Sequence, residues 1–547
     1  MTSPVSPASL PAPPMRWDGW GDPDRETVLS ESVLALIRGA LGVSGTPTPR
    51  RSLTDVEVAP TRLTDDDIAG LVERVGDGHV SVGGTDRLLR AAGRSTPDLL
   101  RRRAHIQAAP DAVVLPGSTE EVAAVLAWCA DADIAVVTYG GGTAVTGGLT
   151  PIAGDHRAVI SLDLRRLDGL AEVDDLSRIA VLGAGVTGPR AEELLGQHGL
   201  SLGHFPQSFR FATIGGFAAT RSSGQASAGY GRFDEMVVGL TLATPRGVLR
   251  LRPVEHSAAG PDLRQVVLGS EGTFGVITEV AVRVHPVPPT AASQAWRFPD
   301  FATGAAAVRA AARSDARPTV LRMSDEAETA VNLAAPGAIG ADAADAPGGC
   351  LVITRFEGEE DDCLDRRRRI AAILSDAGGV DLGSDPADTW AHGRFDAPYL
   401  RDALLAIGVG CETLETATTW SGIEALRTAV ADALSNTLGT DTPDRPGSPA
   451  LVLCHISHTY PTAASLYFTV VYRLADRDPV AQWMQAKEAA SRAIVAHGAT
   501  ITHHHAVGTD HRDHLDAEIG DLGVEILRAV KNALDPSGVM NPGKLIP

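Results

Sequence analysis

The sequence predicts an α+β fold of more than one domain, and three observations carry that reading. At 547 residues with 44% hydrophobic side chains, the chain is too long for one core and rich enough to build two or three. From the strand that ends at the first glycine loop, near residue 140, to about residue 287 short β-runs dominate, whereas residues 290–498 alternate strands with helices. Three glycine-rich loops interrupt the first of these stretches: VVTYGGGTAVTGG within 136–155, PQSFRFATIGGFAATRSSGQASAGYG at 206–231 and GSEGTFGVITEV at 269–280. Glycine has no Cβ to keep a ligand away and tolerates positive φ, so such loops let backbone N–H groups approach a diphosphate. One such cluster is as often a plain turn; three in this order are not.

In order along the chain, MTSPVSPASLPAPP (1–14) reads as a disordered proline-rich tail, without the cationic start and apolar core of a signal peptide. Residues 15–105 read as a mostly helical N-terminal region, with Val28, Val33, Leu36, Ile37 and Leu41 at helical spacing. A β-α-β unit follows: DAVVLP as a strand, Ser118 and Glu121 as a capping box for a helix over 119–130, and IAVVTYG as the strand that ends at the first glycine loop. VITEVAVRVHPV reads as a half-buried strand, Val280, Val282 and Val284 facing away from Glu279 and Arg283. Prolines at 286, 288 and 289 close the region 106–287. Residues 288–498 read as a second α+β domain, in which GAIGADAADAPGG (337–349) is a mobile loop. The last segment, 499–547, holds a helix stopped by Asp535-Pro536 and an irregular tail.

The balance of 48 basic against 68 acidic side chains gives a formal charge of −20, which opposes nucleic acid as a partner. Five cysteines, Cys129, Cys350, Cys363, Cys411 and Cys454, form no CxxC pair and read as reduced and buried in a cytosolic setting. No apolar run approaches the roughly 20 residues of a spanning helix.

The densest titratable cluster is His503, His504 and His505. On a strand, His503 and His505 would share a side and His504 would point the other way. The cluster reads as a base or a hydrogen-bonding group; a zinc reading would need His511 or His514 to converge on it, without support from cysteine or carboxylate spacing, and no metal is assigned. Arg401 suits a phosphate or carboxylate through its two-pronged fork, or an ion pair with Asp402, Glu412 or Glu415. Arg322 is equally ambiguous, and Tyr467 reads as core packing or as an acid. GGGTAVTGG does not place GxGxxG at the opening of a helix, which disfavours a nicotinamide cofactor.

The glycine loops resemble the FAD-binding domain of the vanillyl-alcohol oxidase and p-cresol methylhydroxylase flavoproteins. RWDGWGDPD, GGGTAVTGG, SFRFATIGGFAATRSSG, GPDLRQVVLGSEGTFGVITE, YLRDALLAIGVGCETLETATTW, SHTYPTAASLYFTVVYR and THHHAVG are together similar to the alkyldihydroxyacetonephosphate synthase family, from about Trp17 onward. The resemblance implies a two-subdomain FAD-binding fold with an α+β cap, the C-terminal histidines returning to the FAD domain. It implies non-covalent FAD, in agreement with the lack of histidine in 140–148. The diphosphate would lie against Gly140, Gly141, Gly142, Thr143 and Ala144. Further contacts would come from Thr213, Ile214, Gly215 and Gly216, from Thr220, Arg221, Ser222 and Ser223, and from Glu271, Gly272, Thr273, Gly275, Val276 and Ile277.

By the same resemblance Tyr467 and the three histidines are catalytic, Arg401 binds the substrate phosphate and Arg322 is a second substrate arginine. The implied reaction is redox-neutral: an acylated dihydroxyacetone phosphate loses its fatty acid and gains a fatty alcohol as an ether. It needs a proton removed at the substrate C1, which suits a histidine. LDPSGVMNPGK is closer to the dehydrogenase relatives, so an FAD-dependent 2-hydroxy-acid dehydrogenase or oxidase is the alternative, and a flavin-binding protein without catalysis a third. Expected partners are small-molecule lipids. The expected location is cytoplasmic, with peripheral membrane contact and a homodimer left open and no peroxisomal signal visible.

Overall fold

The computed structural model describes residues 10, 13, 15–25, 27–48, 52–104, 106, 108–331, 348–440 and 447–547. Apart from Leu10 and Pro13, and from Gly348 and Gly349, the tail expected over 1–14 and the loop expected over 337–349 lie outside the described residues.

Three large sheets organise the described residues, beside a two-stranded pairing of Leu200–Ser201 with His285–Pro286. The first is parallel through Ala112–Val114, Ala158–Asp163 and Ile134–Tyr139, with Val80–Ser81 antiparallel at its edge, so the N-terminal region contributes a strand as well as helices. The helix Thr119–Asp131 packs on it through Val122, Val125, Leu126 and Cys129. Only half of the expected capping box forms. Ser118 accepts the Glu121 N–H, but the Glu121 carboxylate takes the N–H of Gly117 at 2.7 Å and pairs with Arg166. The end of the chain returns to this sheet, where Val136 N–H donates to Val539 and Asn541 N–H donates to Val136.

The second sheet is antiparallel, in the order Leu170–Asp174, Ile179–Gly183, Val276–Arg283, Val237–Thr244 and Gly247–Leu251. Val280, Val282 and Val284 are buried in its core while Arg283 is exposed, as the alternation predicts. The short helix Ile214–Ala219 packs into the same core through Ile214, Phe217 and Ala218.

The third sheet has seven strands in the order Val380–Asp381, Thr290–Phe298, Cys350–Gly358, Val320–Ser324, Leu451–Thr459, Ala463–Arg473 and Val409–Thr419. One face is apolar: Leu321, Met323, Cys454, Ile456, Leu466, Phe468 and Leu414 share a core with the helices Phe301–Arg313, Glu360–Asp376, Ile423–Gly439 and Pro479–Ala496. Side chains alternate across a strand, so the residues between these project from the opposite face. The register aligns Ser324, His455, Tyr467 and Glu415 as one row across four strands on that second face.

The N-terminal segment ties the parts together. Arg94 and Arg102, both fully buried, donate to the carbonyls of Arg16 and Trp17, and the Trp20 N–H donates to the Asp402 carboxylate. The helix Glu31–Leu41 packs Val33, Ile37 and Leu41 against Leu404, Ile407 and Val409. Its apolar stripe begins after Val28, which precedes the helix and is 90% exposed. All five cysteines are free and buried. Among the described residues no helix is long and apolar enough to cross a membrane.

Candidate active site

A cavity of about 350 Å³ lies between the glycine loops and the polar face of the seven-stranded sheet. One wall is mostly backbone. Gly140, Gly141, Gly142, Thr143 and Ala144 line it with Thr213, Gly215, Gly216, Thr220, Ser222, Ser223, Glu271, Gly272, Gly275, Val276 and Ile277. Two glycines are required by the fold itself. A Cβ on Gly141 would stand 1.9 Å from the Phe211 carbonyl, and Gly142 has φ +70° and leaves no room beside the Tyr139 hydroxyl. Glu271 joins this wall to the C-terminal segment by accepting the N–H groups of Val507 and Gly508, both at 2.7 Å. Burial pushes its carboxyl up to about 7.

This wall fits FAD. The loop 140–148 offers backbone N–H groups and carries no carboxylate to repel a diphosphate. Around the same cavity Thr138 Oγ1, Gln207 Nε2 and Gln225 Oε1 are buried without a protein partner, an unusual state for such atoms and one a polar ligand relieves.

The facing wall consists of side chains. Tyr467 stacks on His455 with ring centroids 4.7 Å apart and lies edge-on to His505 at 5.5 Å. Burial pushes its phenol well above the ordinary tyrosine range, so it stays protonated. The 501–505 segment is a bend rather than the expected strand, because it folds around the buried carboxylate of Glu415. Glu415 accepts from the Thr502 hydroxyl at 2.6 Å and from the N–H groups of His503, His504 and His505 at 2.6, 3.1 and 2.9 Å. The rings therefore do not alternate: His504 and His505 line the cavity, and His503 sits behind them with Nε2 2.8 Å from the Tyr460 hydroxyl. Burial pushes His503, His504 and His505 down to about 3, 4 and 3, with Glu415 pulling the other way. All three are neutral at physiological pH. Burial alone would push Glu415 up, but His504, then His505 and His503, and the Thr502 hydroxyl outweigh it and hold it well below the usual carboxylate range.

Arg322 and Arg401 reach the cavity from two sides, and Nε of each has no protein partner. Arg401 donates through Nη1 to the Arg94 carbonyl at 2.6 Å, and its Nη2 lies 3.4 Å from Asp402. The ion pair with Asp402 and a buried, unpaired Nε therefore coexist on this guanidinium. Arg322 pairs with Glu328 and lies 3.0 Å from His455 Nδ1.

Of the residues expected around the cofactor and substrate, Ile214 is in the core, Thr273 is buried off the cavity, and Arg221 turns outward to Asp234 and Gln265. His511 and His514 do not join the histidine cluster. The imidazole that does is His458, whose ligating nitrogen lies within 4.8 Å of those of His503 and His504, near enough for a metal ion to be held. His503 Nδ1 and His504 Nδ1 are 3.0 Å apart and already hydrogen-bond each other, and His458 Nδ1 bonds Ser223 and Ser227.

Sequence reasoning missed His455, His458, Trp20 and the role of Glu415. The signal for the first two was HISH, on the strand that pairs with the Tyr467 strand. For Trp20 it was the RWDGWGD motif.

Residues 110–252 match the FAD binding domain family, and residues 287–545 match the C-terminal domain of FAD linked oxidases. With a cavity that fits it and both halves matched in this way, FAD is the cofactor. The chain is 31% identical to alkyldihydroxyacetonephosphate synthase of Dictyostelium discoideum, over 97% of this chain and 93% of that protein. A solved structure of alkyldihydroxyacetonephosphate synthase superposes with a TM-score of 0.82 at 28% identity, covering 96% of this chain and 98% of that one. p-Cresol methylhydroxylase shares the fold, with a TM-score of 0.68 at 16% identity over 89% of this chain and 98% of that one. On the identity and near-complete coverage of the first of these relatives, the chain belongs to the alkyldihydroxyacetonephosphate synthase family.

Proposed function

We propose that this enzyme exchanges the acyl group of an acyl-dihydroxyacetone phosphate for a fatty alcohol, giving the ether-linked product without net oxidation or reduction. The observation that supports it is the facing wall: one neutral imidazole pair, one protonated phenol and two arginines whose Nε atoms have no protein partner converge on a cavity bounded by the flavin loops.

FAD, held non-covalently, supplies an electron-accepting and electron-returning ring that lets the exchange run without an external oxidant. The chain's own residues do the rest. Arg401 binds the substrate phosphate, with Arg322 as the second cation on the same ligand, because guanidinium forks suit phosphate oxygens. Neutral His504 takes the proton from C1 of the three-carbon unit. Tyr467 donates a hydrogen bond to the leaving carboxylate. The C1–acyloxy bond breaks, with its electron pair leaving on the fatty acid. The C1–alkoxy bond forms as the alcohol gives its proton to the departed carboxylate, which leaves as the fatty acid, and His504 returns to C1 the proton it took. The long-chain substrates make peripheral membrane contact part of this reading, and the cytoplasm its setting.

The test is anaerobic incubation with acyl-dihydroxyacetone phosphate and labelled fatty alcohol. Label in an ether, with the flavin spectrum oxidised after many turnovers, supports the proposal. Stoichiometric flavin bleaching by a 2-hydroxy acid with no ether formed replaces it with a dehydrogenase; inertness towards both leaves a flavin-binding protein.

A further inference from the structure

We propose that Glu415 is a positioning residue: it holds His504 in the tautomer with its proton on Nδ1, which leaves Nε2 as the lone-pair nitrogen facing the cavity. The inference rests on the proton-transfer role given to His504 above and adds a residue the sequence offers only as an ion-pair partner for Arg401.

Glu415 sits inside the strand Val409–Thr419, directly across from Tyr467, and its side chain is 1% exposed. A carboxylate this deep is costly unless its lone pairs are filled. Here four donors fill them, and three are successive backbone N–H groups of the histidine segment, an anion nest closed around an internal carboxylate. The segment bends because of this carboxylate, so the place of the His504 ring depends on it.

The anion also selects the ring's proton. His504 Nδ1 lies 3.5 Å from Glu415 Oε2 and 3.0 Å from His503 Nδ1, whereas His504 Nε2 makes no hydrogen bond to the described residues. A negative charge beside Nδ1 favours the proton there. The neighbours accept that assignment without conflict: His503 Nδ1 accepts from His504, which places the His503 proton on Nε2, from where it donates to the Tyr460 hydroxyl at 2.8 Å. The Tyr460 hydroxyl also lies beside Ser223 and Arg232. Both ring nitrogens of His503 and Nδ1 of His504 then have one role each, and within this pair of rings the lone pair left over is that of His504 Nε2.

When that nitrogen takes the substrate proton, the C1–H bond breaks, its electron pair stays with the substrate, and His504 becomes a cation. Arg232, His455, His458, His503 and His505 face it, and Tyr467 stacks on it at 6.1 Å. Arg232 repels the new charge. Glu415 offsets that repulsion, as the buried carboxylate of a catalytic triad does for its histidine.

The test uses the FAD-loaded enzyme labelled with ¹⁵N-histidine, the His504 signals being those lost in His504→Gln. The expected result is an unprotonated Nε2 and a protonated Nδ1 in the wild type. A proton on Nε2 overturns the proposal whether or not the enzyme makes an ether, so this arm stands apart from the proposed function. Glu415→Gln should lower kcat about 100-fold, within the range of a general base, with KM within about threefold and FAD content unchanged. In a His504→Ala background the same change should cost less than about threefold, because the interaction it removes is already gone. Equal losses in both backgrounds overturn the proposal. Glu415→Asp, which keeps the charge, should recover part of the rate and serves if the glutamine variant does not fold; no recovery overturns the proposal.

Discussion

The loop 140–144 meets its ligand with backbone, whereas the wall across the cavity is built from side chains brought together from six places in the sequence: Arg322, Arg401, Glu415, His455, Tyr467 and His504. In the first wall, function and folding ask for the same thing. The glycine that opens the cradle at 141 is also the only residue that clears the Phe211 carbonyl. In the second they conflict. Neutral imidazoles, a protonated phenol and unpaired guanidinium nitrogens are poor choices for a buried sheet face and are held there by a network around Glu415 and Glu328. The two walls should therefore fail differently, one by losing the cofactor and the other by losing the chemistry with the cofactor in place.

The largest effect is expected on the side-chain wall. His504→Ala and Tyr467→Phe should each lower kcat by about 10²–10⁴-fold while FAD absorbance per chain stays at the wild-type value. Flavin lost together with activity would erase the distinction between the walls.

Arg401→Lys comes next. A lysine keeps the charge but not the fork, and one charge-assisted hydrogen bond is worth about 1.5–3 kcal/mol. kcat/KM for a phosphate-bearing substrate should fall roughly 10–100-fold, and a dephosphorylated analogue should show almost no difference between the two proteins.

On the backbone wall, Gly141→Ala places a methyl group against the Phe211 carbonyl, a steric cost of about 1–3 kcal/mol. FAD should bind roughly tenfold more weakly, as read by flavin release on dilution, and chains that keep FAD should turn over at near wild-type rates. A slow but fully loaded variant would show that the loop also orients the chemistry.

The smallest effect is the response to pH. Burial lowers His504 from 6.5 to about 4, so its neutral, working form is complete above about pH 5.5 and is lost as pH falls through about 4. This group should change kcat/KM by less than about twofold between about pH 6 and 8. An acid limb centred near the ordinary histidine value would mean that the ring is solvated.

The same contrast explains what could be read from the chain alone. A cradle of backbone is contiguous, so GGGTAVTGG, TIGG and GSEGTFG announce it, and the order of strands and helices around them follows from local alternation. The other wall depends on register. Nothing in CETLETATTW separates Glu415 from Glu412 until Glu415 is placed across from Tyr467 in the antiparallel pair. His455 looks like any strand residue until the hairpin aligns it with Tyr467. The alternation expected for His503, His504 and His505 was a strand argument, and it fails because a buried carboxylate, invisible locally, bends the segment. For Ser118, the expected box was half right: the hydroxyl caps its helix, but Arg166, 45 residues away, engages the glutamate.

Trp20 also lines the cavity, and its backbone N–H is held by Asp402, a residue 382 positions further along. Time separates the two halves of that bond. At about 5–20 residues per second, a ribosome that has made the tryptophan needs roughly 20–80 seconds to make its partner, and longer to reach the histidines. The segment around Trp20 therefore waits for a partner from the last third of the chain, and whatever shields that segment during the interval bears on how much active protein a cell obtains.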